Sequence, residues 1–226
     1  GGALMAPEVI AAMASAATSS IDIGELQAAA SRTISDITGA EAGIVTTGAS
    51  AALTLACAAS MTRWDIAKMA ALPHVESFAH EVLIMRTHRT GYSNALRASG
   101  ARLVDIGHND RGTGAGVRGI EPWEIEASIS SKTAAFAFSA TPENMIDLPT
   151  VVSVCRLHNI PVIVDAAAQL PPKSNLRLIF ELGADLVAFS GGKAIGGPQA
   201  SGILAGRRDL VGAALIQQLD MDVAPE

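Results

Sequence analysis

Short apolar runs recur along the chain at 43–47, 82–86, 102–106, 134–138, 161–165, 186–190 and 202–206, most of them flanked by Gly, Asp, Ser or Pro. Runs of this length, bounded by turn formers, predict buried strands. Between several of them the apolar positions fall at helical spacing, over 49–61, 91–99, 121–131 and 149–158, and a last helix is expected over 207–219. Pro122 at the start of one helix and Gly100 at the end of another obey the first-turn and C-terminal preferences. Upstream, Asp22-Ile23-Gly24-Glu25 carries the N-cap and N3 acid of a capping box. Ile23, Leu26, Ala30, Ile34 and Ile37 follow on one helical face, and Gly39 is the stop. Seven strands with helical connections predict an α/β fold, a mainly parallel seven-stranded sheet with helices on both faces. Ligands of such sheets bind beyond the carboxyl ends of the strands. Segment 107–119, rich in Gly, Arg and Asp, reads as a loop.

Composition narrows the picture. The chain has 226 residues, 49% of them hydrophobic but only 4% aromatic, which suits close helix-on-sheet packing better than a β-sandwich. Net charge is −6 and no lysine/arginine run occurs, so no nucleic-acid footprint is visible. Cys57 and Cys155 lack CxxC spacing and read as reduced core residues of a cytoplasmic protein. Residues 1–17 are apolar but lack a basic start and contain Pro7 and Glu8, which argues against a signal peptide or a membrane span. The expected organisation is an N-terminal helical segment over 1–40 and a large domain over 41–226.

The polar residues at the strand ends carry the chemistry. Lys193 lies in Ser190-Gly191-Gly192-Lys193-Ala194-Ile195-Gly196-Gly197, a glycine-rich turn after the run at 186–190. Asp165 closes the preceding run, so an acid and a lysine can meet across one pocket. That pairing suits pyridoxal 5'-phosphate: a lysine amine condenses with the cofactor aldehyde, and a carboxylate pairs with the pyridinium nitrogen. Gly48-Ala49-Ser50 joins a strand to a helix, where small residues and the first helical N–H groups can hold a phosphate; an ordinary N-cap by Ser50 is the alternative. Ala167 is small enough to pack flat on the ring, and Ser190 can donate to the phosphate. His88 is the candidate to stack on the ring, with Tyr92 competing. Asn144 either touches the ring hydroxyl or serves only its turn. The remaining histidines show no ligand spacing with each other or with the cysteines, so no metal site is expected.

With those motifs in place, the chain resembles fold type I pyridoxal phosphate enzymes, the aspartate aminotransferase superfamily. It is most similar to the group of L-seryl-tRNA(Sec) selenium transferase and D-glucosaminate-6-phosphate ammonia-lyase. Val164-Asp165-Ala166-Ala167-Ala168-Gln169-Leu170-Pro171-Pro172 and Phe189 through Gly202 carry the match. The resemblance implies an aspartate-aminotransferase-like large domain with Lys193 and Asp165 as catalytic residues, and a homodimer with the site at its interface. It implies α,β-elimination, of ammonia-lyase or dehydratase type, on a hydroxylated amino acid or amino-sugar acid. Transamination, racemisation, aldol cleavage and selenium transfer are rival outcomes of the same carbanion, and a non-catalytic cofactor-binding remnant is a further alternative. The family's smaller C-terminal domain, with its carboxylate-gripping arginine, is expected to be absent here; Arg86, Arg89 and Arg97 are the replacements to consider.

Overall fold

The structure, a computed structural model, describes residues 2–107 and 119–218. The chain opens with helix α1 (Pro7–Ala16), with Pro7 at its first position, and α2 (Ile23–Thr38). Asp22 caps α2 by accepting the Glu25 N–H at 2.9 Å, and Gly39 ends it in the left-handed conformation at φ 78°. Then follow β1 (Ala42–Thr46), α3 (Ala49–Thr62), α4 (Ile66–Ala71), β2 (Glu81–Met85), α5 (Ser93–Ala98) and β3 (Arg102–Ile106). The second half holds α6 (Pro122–Glu126), β4 (Thr133–Ser139), α7 (Leu148–Leu157), β5 (Val162–Asp165), α8 (Asn175–Glu181), β6 (Leu186–Ser190), β7 (Gly202–Gly206) and α9 (Arg208–Gln218).

All seven expected strands are present, displaced by no more than a residue or so. The helices differ more. Residues 121–131, expected as one helix, are helical only over Pro122–Glu126, where Glu121 and Glu124 form a reciprocal capping box. Helices α1, α4 and α8 were not individually expected; α4 and α8 have only 6 and 7 residues, too short for a periodic signal. Of the apolar face expected on α2, only Ile34 is buried, while Ile23, Leu26 and Ile37 are 54%, 50% and 44% exposed. Most of the loop expected at 107–119 lies outside the described residues.

The strands form one sheet in the order β1-β7-β6-β5-β4-β2-β3. Only β7 runs antiparallel to its neighbours, β1 and β6; the other pairs are parallel. Alternation along the strands fills two layers. Ile163, Leu186 and Ala188 face a core shared with α3, α5 and α9, while Val162, Val164, Val187 and Phe189 face one shared with α7 and α8. Phe136, Phe138 and Phe189 are fully enclosed, each stabilising by about 1.5–3 kcal/mol. Among the described residues strand β1 is an edge, and two side chains of α2 cover it. Gln27 of α2 donates to the Val45 carbonyl at 2.9 Å and accepts the Val45 N–H at 3.0 Å, and Ser31 accepts the Gly43 N–H.

Candidate active site

The sheet register brings polar strand ends together. Ser139 stands opposite Asp165 between β4 and β5, while Ser190 and Thr46 both stand opposite Gly202 of β7. Beyond these ends lies a cavity of about 330 Å³, within the size range of small-molecule sites. Gly48, Ala49, Ser50, Asp165, Ala167, Ser190 and Lys193 all line it, together with Thr47, Thr90, Tyr92, Ser139, Gln169 and Gln199.

One wall is the start of α3. Its N-cap is Gly48, at φ 98°, and no side chain caps it. The alternative of a Ser50 cap is therefore corrected: Ser50 is already inside the first turn, and α3 presents its first N–H groups and its dipole to the cavity. A Cβ at Gly48 would meet nothing within 4 Å, so the backbone there faces open space. Gly202 packs behind this turn so closely that a Cβ would collide with the Gly48–Ala49 peptide.

Asp165 forms the floor. Its carboxylate accepts the Ala167 N–H at 3.1 Å. Burial pushes its pKa above the usual carboxylate range, opposed by that hydrogen bond and by the charge of Lys193. No cation lies within ion-pairing distance of Asp165 among the described residues. Lys193 stands on the turn after β6. Gly191 donates to the Ser201 carbonyl at 2.9 Å and Gly197 donates to the Gly191 carbonyl at 2.8 Å, which folds the turn back on itself. A Cβ at Gly192 would come within 2.6 Å of the Gln199 carbonyl oxygen, so only glycine fits beside the lysine.

His88 and Asn144 sit apart from the main cavity. His88 is buried and lines a small adjoining pocket with Thr90, Tyr92, Ser139 and Asp165. Its Nδ1 accepts the Ser139 N–H at 3.3 Å, and its Nε2 lies 2.9 Å from Asn144 Nδ2. Its ring meets Phe138 edge-on at 4.6 Å. Burial lowers its pKa to about 4, so the ring is neutral at physiological pH. Asn144 serves its turn, accepting the Thr141 N–H, and also donates to the Ser139 carbonyl. Tyr92, 68% exposed, lines both pockets at their rim. None of Arg86, Arg89 and Arg97 lines the main cavity: Arg89 pairs with Asp105 at 3.4 Å and Arg97 bonds Asn94. Sequence reasoning missed Thr90, Ser139, Gln169 and Gln199 as lining residues. Ser139 was legible as the last residue of a strand; Thr90 had no local signal.

The residues present fit a phosphate-bearing pyridine aldehyde. The start of α3 has no side-chain cap and could take the dianion, and a lysine amine stands in the same cavity. A partly buried carboxylate, without an ion-pair partner among the described residues, is available to a ring nitrogen.

The profile of the aminotransferase class-V family matches residues 18–219. D-glucosaminate-6-phosphate ammonia lyase of Salmonella typhimurium (strain 14028s / SGSC 2262) is 33% identical over 225 residues, covering 96% of this chain and 58% of that protein. 5'-C-glycyluridine monooxygenase-decarboxylase of a Streptomyces species is 31% identical, over 96% of this chain and 54% of its own length. Among solved structures, a D-glucosaminate-6-phosphate ammonia-lyase superimposes with a TM-score of 0.84 at 32% identity, covering 95% of this chain and 57% of the other. The chain thus spans somewhat more than half the length of the relatives it matches. A family profile that covers most of its residues, and a relative sharing a third of them almost end to end, agree: the chain belongs to the aminotransferase class-V family, pyridoxal phosphate enzymes of fold type I.

Proposed function

We propose that the protein is a pyridoxal phosphate-dependent lyase that removes ammonia from a hydroxylated amino acid or amino-sugar acid. The observation that carries this is the shared cavity of Asp165, Lys193 and the open start of α3. The relative named for ammonia lysis of an amino-sugar acid supports the choice of reaction. When bound, the cofactor supplies an electron sink for charge left at the substrate α-carbon.

The backbone N–H groups at Gly48–Ser50, with the Ser50 and Ser190 hydroxyls, hold the phosphate. Asp165 faces the ring nitrogen and keeps a proton there. Ala167 lies against one ring face, and neutral His88, which shares the adjoining pocket with Asp165, is the residue placed toward the other. Lys193 Nζ takes the α-proton and hands a proton to the departing β-hydroxyl. Water leaves in that step; a water then replaces the nitrogen, so the net products are a keto acid and ammonia. Hydroxyl and amide groups of Thr47, Thr90, Tyr92, Gln169 and Gln199 line the cavity and suit a hydroxylated substrate better than an apolar one. A homodimer in the cytoplasm completes the reading. Exposed Leu4, Ile10, Met13, Ile23 and Leu26 offer an apolar surface to a second copy, and buried, unpaired Cys57 and Cys155 suit a reducing compartment.

Borohydride reduction of the cofactor-loaded full-length protein tests the assignment. Covalent label should appear on Lys193 and vanish in Lys193→Ala, and hydroxylated amino-sugar acids should yield keto acid and ammonia in equal amounts. Label on another residue would sink the site. Amine transfer, or decarboxylation without free ammonia, would sink the reaction.

A further inference from the structure

The Lys193 turn is held from outside by a segment far away in sequence. The Ala3 N–H donates to the Gly192 carbonyl at 2.9 Å, and the Ala6 N–H donates to the Gly196 carbonyl at 3.3 Å. The two acceptors bracket Lys193. The Gly192 carbonyl and the Lys193 nitrogen share one planar peptide, so fixing that carbonyl fixes the plane from which the Lys193 side chain departs. The Gly196–Gly197 peptide is held at both ends, its carbonyl by Ala6 and its N–H by the Gly191 carbonyl. Glycines leave these planes free to rotate unless something restrains them, and residues 191–195 form turn, without a ladder of their own.

We infer that residues 2–6 act as a positioning strap for Lys193, setting through the Gly192 and Gly196 carbonyls the direction from which its amine enters the cavity. This rests on Lys193 being the cofactor-linked amine. The strap adds little to the core: no residue from Gly2 to Leu26 is buried, and Leu4 is 95% exposed. Those two hydrogen bonds therefore act on the turn, not on the stability of the sheet. Ala6 already has φ −65° and ψ 145°, the backbone of a proline. Ala6→Pro thus keeps the backbone of Ala6 and puts a ring methylene where the N–H was, which removes the bond and pushes the Gly196 carbonyl away, and Ala6→Ser keeps the N–H.

The test uses the full-length protein, Ala6→Pro, Ala3→Pro and the double variant, with Ala6→Ser as control. Without cofactor, amide exchange of the 191–197 segment should quicken by about fivefold per lost bond while the melting temperature holds. With pyridoxal phosphate, the pH midpoint of the visible band of the lysine-linked cofactor should move in the proline variants and stay put in Ala6→Ser. Unchanged exchange overturns the strap. Faster exchange with an unmoved midpoint overturns its role in positioning. A fall in melting temperature that parallels every other change reduces the strap to a structural contact and also overturns the proposal. Absence of that band in the unaltered protein would instead overturn the reading of Lys193, and the proposal with it.

Discussion

Asp165 and His88 are neighbours in one small pocket, and burial moves them in opposite directions on the stability scale. The Asp165 carboxyl is raised, so the folded chain binds more protons than the unfolded one between the ordinary carboxylate pKa and the raised one. Stability without cofactor falls as pH climbs through that window. Asp165→Asn should therefore raise the melting temperature of the cofactor-free protein by a few degrees at neutral pH, with no gain under acid conditions. The same change should cut turnover at least about a hundredfold, because the ring nitrogen loses its partner. Calorimetry at two pH values and a rate assay check both halves; a cofactor-free Asp165→Asn variant no more stable than the unaltered protein at neutral pH would contradict the burial argument. His88 behaves the other way. Its pKa drops from 6.5 to about 4, so its neutral form favours folding above pH 6.5 and that favour is lost as pH falls through about 4. His88→Gln should flatten the acid limb of the stability curve between those values, by roughly 3 kcal/mol at most. These two residues also mark the limit of sequence reading. Asp165 was legible because it ends an apolar run. His88 was legible as a residue after a strand, but its edge-on packing against Phe138 and its hydrogen bond from the Ser139 N–H depend on elements about 50 positions away.

At the scale of elements, the Gly48–Ser50 turn proposed to hold the phosphate depends on β7 pressing against it. Gly202→Ala should push the Gly48–Ala49 peptide out of place, at about 1–3 kcal/mol. The expected result is cofactor affinity down by about tenfold to a hundredfold, measured by titration of the visible absorbance, while the far-ultraviolet circular dichroism stays the same. A Gly202→Ala variant that binds cofactor normally would show that the contact is slack. Most strands were legible because they combine an apolar run with a glycine, proline or acid at the border, and β4 because its run ends at Ser139. The antiparallel direction of β7 was not, because its sequence reads like its parallel neighbours; the tight turn from Lys193 to Ser201 decides it, reversing the chain in place of a helical crossover. Helix α2 shows the converse. Its periodic apolar stripe was plain, yet most of it is uncovered, since periodicity reveals that a face seeks a partner and not which partner it finds.

For the whole molecule, that uncovered stripe sets an expectation about assembly. Ile23, Leu26, Ile10 and Met13 are all about half exposed, and sedimentation of the full-length protein should give twice the monomer mass. Ile23→Asp with Leu26→Asp should shift it to monomer; a wild-type protein that sediments as a monomer at micromolar concentration would rule out the homodimer. The sheet order has a separate consequence for how the chain is born. Among the described residues strand β1 has one strand partner, β7, and Ala42 pairs with Gly206 while Thr46 pairs with Gly202. During synthesis the first strand must therefore wait for the last, roughly 8–30 s at ordinary elongation rates. For that interval Gln27 and Ser31 of α2 are the nearest groups able to occupy the open hydrogen bonds of β1, on one side only. The ribosome-bound chain presents an unmatched edge until translation reaches residue 206, and a chaperone acting on this protein is expected to meet it before then.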